Sequence, residues 1–64
     1  MSNLETARIS AGLSREQAAK LIGITSKQWC AYERDPLSIT GEHMIDMCYF
    51  LGAKASYLYG FSEA

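Results

Sequence analysis

Proline occurs once in this 64-residue chain and cysteine twice, and apolar residues never run on at length. Each scarcity excludes something. No stretch approaches the roughly 18 consecutive apolar residues of a membrane span. The N-terminal MSNLETARIS has no basic segment followed by a long apolar run, so it does not read as a secretory leader. Both features point to the cytoplasm, where free thiols are the default. Cys30 and Cys48 form no close pair and belong to no CxxC or His-containing cluster, so they are expected as small core or interface residues, with no metal site. There is also no nucleophile elbow, no phosphate-cradling glycine loop, and too little chain to build a concave pocket. No catalytic residue and no cofactor are expected.

What is present is an apolar fraction of 48% with 20% charged residues, the composition of a packed domain and not of a disordered one. A chain of this size forms one domain, residues 1–64, and buries only roughly 60% of the surface its unfolded form exposes. Stability is therefore marginal, and without disulfides or a metal it must come from close helix packing or oligomerisation.

Helix punctuation sets the organisation. Ser2 with Glu5, Ser14 with Gln17 and Thr25 with Gln28 each place a hydroxyl three residues before a Glu or Gln, the capping-box spacing that satisfies orphaned amide groups. Gly12 and Gly23 follow apolar-periodic runs and can take the left-handed conformation that ends a helix, and Asp35-Pro36 cannot continue one. Between these marks apolar residues recur at helical spacing: Leu4, Ala7 and Ala11; Ala18, Ala19 and Ile22; Trp29 and Tyr32. After a loop from Pro36 to Gly41, the segment Glu42 to Leu51 carries Met44, Ile45, Cys48 and Leu51 on one stripe. A last short turn opens near Ser56. Strand alternation is absent, so an all-α chain of five short helices is predicted.

The second and third helices meet at a tight glycine turn. For two helices to cross at roughly 90 to 120°, the first must present a small side chain and the turn must tolerate unusual backbone angles. Ala19 and Gly23 suit those demands, and Trp29 and Tyr32, three residues apart, can send apolar bulk from the second helix into the core. Trp29 is accordingly read as a core anchor and not as a base-stacking aromatic, and His43 as a solvated or capping residue.

The segment LSREQAAKLIGITSKQWCAYERD, residues 13–35, resembles the helix-turn-helix of the Cro and phage-repressor (XRE) family, and GEHMIDMCYFLGAKASYLYG, residues 41–60, resembles that family's last two helices. The likeness covers nearly the whole chain in order and spacing. It implies a compact five-helix, lambda-repressor-like DNA-binding domain with its helix-turn-helix at about 14–34 and its C-terminal helices at about 41–61. The third helix would lie in the DNA major groove. The family's base-reading positions fall on Ser26, Lys27, Gln28 and Ala31. Lys27 can donate to guanine O6 and N7, Gln28 can pair with adenine N6 and N7, and the Ala31 methyl can meet a thymine methyl. Arg15, where the family often has glutamine, and Arg34 are the expected phosphate contacts. Asp35, replacing a glycine, brings a carboxylate to that surface. The resemblance implies a transcription regulator, expected to act as a repressor that occludes its operator, since the chain leaves no room for a separate effector domain.

A net charge of −1 is unusual for a nucleic-acid binder. The sum hides an asymmetry: Arg15, Lys20, Lys27 and Arg34 face Glu16 and Glu33, a local +2, whereas Lys54 stands alone against Asp35, Glu42, Asp46 and Glu63, a local −3. Few phosphate contacts per subunit are expected, so affinity for double-stranded DNA would come from a homodimer on half-sites about 10 base pairs apart. The C-terminal aromatics exceed what two short helices can bury inside. Phe50, Tyr59 and Phe61 are the expected dimer contacts, the alternative being that they close the core against Leu4 and Leu13. The competing function is a protein-interaction or dimerisation module of the same fold that does not read DNA, which the acidic C-terminal half favours.

Overall fold

The first four helices begin where a hydroxyl can accept an amide hydrogen bond. A computed structural model describes residues 1–61 and places α1 at Asn3–Ser10, α2 at Arg15–Leu21, α3 at Ser26–Arg34, α4 at Gly41–Leu51 and α5 at Ala55–Tyr59, with a 3-10 turn at Pro36–Ser38. Glu63, counted above in the acidic half, lies outside the described residues. The Oγ of Ser2, Ser14 and Thr25 accepts from the N–H three residues on, at 3.2, 3.1 and 3.1 Å. Each such cap is worth about 1 kcal/mol. The reciprocal form forms at α2, where Gln17 Oε1 accepts from the Ser14 N–H at 2.8 Å. At α1 the Glu5 carboxylate turns instead towards Arg15. The cap of α4 is Thr40, which moves its start to Gly41, one residue earlier than the periodicity suggested. Lys54 precedes α5 without a side-chain cap, and Ser56 lies inside that helix.

The fold is all-α with five α-helices, and no strand occurs among the described residues. No helix there is long and apolar enough to cross a membrane. Leu4, Trp29, Met47 and Leu58, one each from α1, α3, α4 and α5, are the largest fully buried side chains. Burying a residue such as Leu or Met contributes roughly 1.5 to 3 kcal/mol. Ala18, Ala19 and Ile22 bring α2 onto this centre. The first and last helices are tied together where α1 packs on α5, with Asn3 Nδ2 donating to the Tyr57 carbonyl at 2.8 Å.

Two inner stripes differ from the sequence expectation. On α4 the buried residues are Met44 and Met47, with Cys48 and Leu51 partly buried against the core, whereas Ile45 is 70% exposed. Met44, Met47, Cys48 and Leu51 follow i, i+3, i+4, i+7, the stripe that a 3.6-residue period selects, and Ile45 sits just off it. On α1, Ala11 is the exposed C-cap, and the inward position four residues after Leu4 belongs to Arg8, which is buried. Cys30 and Cys48 are free thiols, and burial pushes the Cys48 thiol up.

Candidate nucleic-acid interface

The joint between α2 and α3 needs a backbone reversal over Ile22 to Thr25. Gly23 supplies it at φ +75°, a region that costs an L-residue about 1 to 2 kcal/mol, and a Cβ there would meet nothing within 4 Å. Its role is therefore conformational and not spatial. Ala19 is buried beneath the turn, and its carbonyl accepts from the Ile24 N–H at 3.0 Å.

Rotation of α3 about its axis is set by Trp29 and Tyr32, both buried. With those two inside, Lys27, Gln28, Ala31 and Arg34 are exposed, and Ser26 and Cys30 are half-exposed. Ser14, Glu16, Gln17, Lys20, Thr25 and Ser26 line an open groove of about 530 Å³ between α2 and the start of α3. The outward face of α3 thus offers an ammonium, a carboxamide, a methyl and a guanidinium on one short helix. Asp35 is exposed just beyond it; its N–H reaches the Ala31 carbonyl at 2.9 Å, and its own carbonyl accepts from the Ser38 N–H and Oγ at 3.0 and 2.7 Å.

Behind this face lies an ionic cluster that the sequence reading missed. Glu33 is buried on α3 and accepts three hydrogen bonds: from Trp29 Nε1 at 2.7 Å, Arg8 Nε at 2.8 Å and Arg15 Nε at 2.7 Å. Arg15 Nη2 also donates to Glu5 Oε2 at 2.9 Å, and Arg8 Nη1 donates to the Leu13 carbonyl at 2.7 Å. Burial pushes the Glu33 carboxyl up, but the hydrogen bonds from Arg15, Arg8 and Trp29 outweigh it and hold the group below its ordinary range. Arg15 is correspondingly raised, first through its hydrogen bond to Glu33. Two sequence signals could have located the cluster. Trp29 and Glu33 stand four residues apart on one helix face, and Arg8 interrupts an inward apolar stripe.

Arg15, expected as a phosphate contact, therefore meets two carboxylates within the chain, although it remains partly exposed. Arg34 is exposed and shares a hollow of about 360 Å³ with Glu5, Arg15, Cys30 and Glu33. His43 is not simply solvated. Its backbone N–H meets the Thr40 cap, and its ring lies half-buried with Nδ1 2.7 Å from the Tyr32 hydroxyl, because the buried phenol needs a polar partner.

The three expected dimer residues are placed differently from one another. Phe50 is 44% exposed and packs edge-on to Tyr49, and Phe61 is 71% exposed. Tyr59 is half-buried, stacks on Phe61 with ring centroids 5.9 Å apart, and donates its hydroxyl to the Ile39 carbonyl at 3.1 Å. No group of three or more potential metal ligands occurs among the described residues. Comparison with protein-family models, with curated proteins and with solved structures finds no match.

Proposed function

We propose that the protein is a sequence-specific double-stranded DNA-binding transcription regulator of the Cro and phage-repressor type, with a lambda-repressor-like helix-turn-helix domain. It acts in the cytoplasm as a homodimer without metal or cofactor, catalyses no reaction, and represses by occluding a pseudo-palindromic operator. The observation that carries this reading is the rotation of α3. Trp29 and Tyr32 anchor it inward, so Lys27, Gln28 and Ala31 stand outward on a helix whose first turn borders an open groove. An exposed helix of this kind fits the major groove, and those side-chain types match base edges. Ser26, at the groove, serves a base or a phosphate, and Arg34 a phosphate.

The second reading, a protein-interaction module, is favoured by one specific observation. Ile45 and Tyr49 are 70% and 80% exposed beside Phe50 on α4, apolar surface that a partner could cover. Titration against random duplex DNA at several salt concentrations separates the two. A DNA binder weakens steeply as salt rises, whereas no binding even at about 50 mM salt eliminates the regulator. Selection of bound sites from a random library then yields the operator, the half-site spacing and the symmetry of the dimer together.

A further inference from the structure

Arg15 reaches the α2–α3 face already carrying two carboxylates, and these differ in kind. Glu33 is buried, with its side chain 6% exposed, and its contact with Arg15 Nε at 2.7 Å crosses from α3 to α2. Glu5 comes from α1, its side chain is 23% exposed, and its Oε2 lies 2.9 Å from Arg15 Nη2. Neither contact uses Nη1. The cluster of Glu5, Arg8, Arg15 and Glu33 holds two cations and two anions, so it presents no net charge to an approaching phosphate. Glu33 is the carboxylate hydrogen-bonded to Arg8, at 2.8 Å, whereas Glu5 stands 3.9 Å from that arginine. Core stability therefore needs Glu33, and Glu5 is left to act on the exposed guanidinium of Arg15.

We infer that Glu5 occupies, on Arg15, the place of a DNA phosphate, and so sets the sequence-independent part of the affinity low. Glu33 is the positioning residue that aims the guanidinium, and Glu5 is the internal anion that competes for it. A phosphate oxygen on Arg15 comes within a few ångströms of the Glu5 carboxylate, and either displaces it or bears its repulsion. One like-charge contact at about 4 Å in water amounts to a factor of about 5 in binding. The consequence for the regulator is that one subunit holds DNA poorly and the dimer is required. This inference rests on the DNA-binding reading above, and its test separates the two.

Wild type, Glu5→Gln, Arg15→Ala and the double variant are titrated with a random 20-base-pair duplex over a range of salt, with helicity checked by circular dichroism. Glu5→Gln is expected to bind about 5-fold more tightly at low salt. Its salt slope should steepen by up to about 0.9, one phosphate contact. The gain should be the same on a selected operator, and it should vanish in the Arg15→Ala background. An equal gain without Arg15 would show only a general charge effect and overturn the inference, as would no gain at all where wild type binds. In parallel, inorganic phosphate is titrated while the Arg15 Nε–H resonance is followed. Glu5→Gln should respond at about 5-fold lower phosphate than wild type. Equal titrations, or no response in Glu5→Gln, overturn the role of Glu5. If no protein binds duplex but this phosphate difference holds, the DNA-binding reading fails and the competition at Arg15 stands.

Discussion

Replacing Glu33 by glutamine keeps the size of the side chain and removes its charge, which makes it the sharpest perturbation of the cluster behind α3. In the wild type Oε2 accepts from both Arg8 Nε and Trp29 Nε1, and Oε1 accepts from Arg15 Nε. An amide has one carbonyl oxygen. If that oxygen keeps Arg8 and Trp29, the amide nitrogen faces Arg15 Nε donor to donor; if it turns round, Arg8 and Trp29 lose their acceptor. Either way the buried Arg8 loses its hydrogen-bonded carboxylate and keeps only Glu5 at 3.9 Å, and breaking a buried pair from one side costs about 3 to 5 kcal/mol. A domain of this length has a total stability of about 3 to 10 kcal/mol, so the loss corresponds to a fall in Tm of roughly 12 to 40 °C. Urea unfolding followed by the fluorescence of Trp29, the single tryptophan, gives the number at pH 7. The pH dependence provides an internal check. Because folded Glu33 lies below the ordinary glutamate value of 4.5, its contribution is fully present above that value and is lost as pH falls through the lower folded value. The gap between wild type and Glu33→Gln should therefore narrow below about pH 4.5. A cost under about 1 kcal/mol at pH 7, the range of exposed ion pairs, or a gap that does not change on acidification, would refute the assignment.

Three further outcomes are expected. In competition binding, Lys27→Ala and Gln28→Ala should relax base preference, each by about 1 to 3 kcal/mol of discrimination, whereas Arg34→Ala weakens all sequences alike; equal losses for all three on operator and random DNA would contradict that division. Trp29→Ala should cost about 3 to 5 kcal/mol and unfold most of the protein, whereas Trp29→Phe, which mainly loses the indole N–H that meets Glu33, should cost about 1 to 3 kcal/mol; denaturant curves decide, and a Trp29→Phe cost near zero would show that the hydrogen bond counts for nothing, whereas equal costs would show that the packing of the ring does. Phe50→Glu should shift a homodimer to monomer in sedimentation with its helicity retained in circular dichroism, since its ring is half outside the core already, and a dimer that persists would place the interface elsewhere.

Local signals explain what was legible in the sequence. Ser14-Gln17, Gly23 and Asp35-Pro36 act through backbone geometry within a few residues, so α2, the turn and the end of α3 could be placed from spacing alone. Trp29 and Tyr32 fix the rotation of α3 by size. The Arg8–Glu33–Arg15 cluster was not legible in the same way, because it joins α1, α2 and α3 across 18 and 25 residues of sequence. Charge counting treated Arg15 and Glu33 as surface, which is the usual fate of Arg and Glu, and left Arg8 out. On α4 the misplacement of Ile45 had a different cause: two acceptable apolar stripes overlap there, and only the packing of Met47 against the rest of the core distinguishes them. Tyr32 and His43 met for a similar reason, since a buried phenol demands a partner but does not say which.

The cluster also changes how the charge of the molecule should be read. A count of formal charges made the α2–α3 half net positive, with Arg15 contributing fully. In the folded chain Arg15 is matched by Glu33 and Glu5, so the cations left uncommitted on that face among the described residues are Lys20, Lys27 and Arg34. Two of these lie on α3 itself, which on the DNA-binding reading proposed above would concentrate the attraction for phosphate and base on the helix whose rotation Trp29 fixes. On that reading the hydrogen bond from the same indole to Glu33 would couple DNA contact to stability: the group that turns α3 outward also holds the carboxylate that pairs with Arg8 and Arg15. If α3 reads DNA, a substitution at Trp29 or Glu33 is expected to disturb folding and DNA contact together, whereas changes at Lys27, Gln28 or Glu5 alter binding alone. Separation of these two groups of residues in paired stability and binding measurements is the expectation that distinguishes a DNA-reading α3 from a helix whose outward residues merely cover a core.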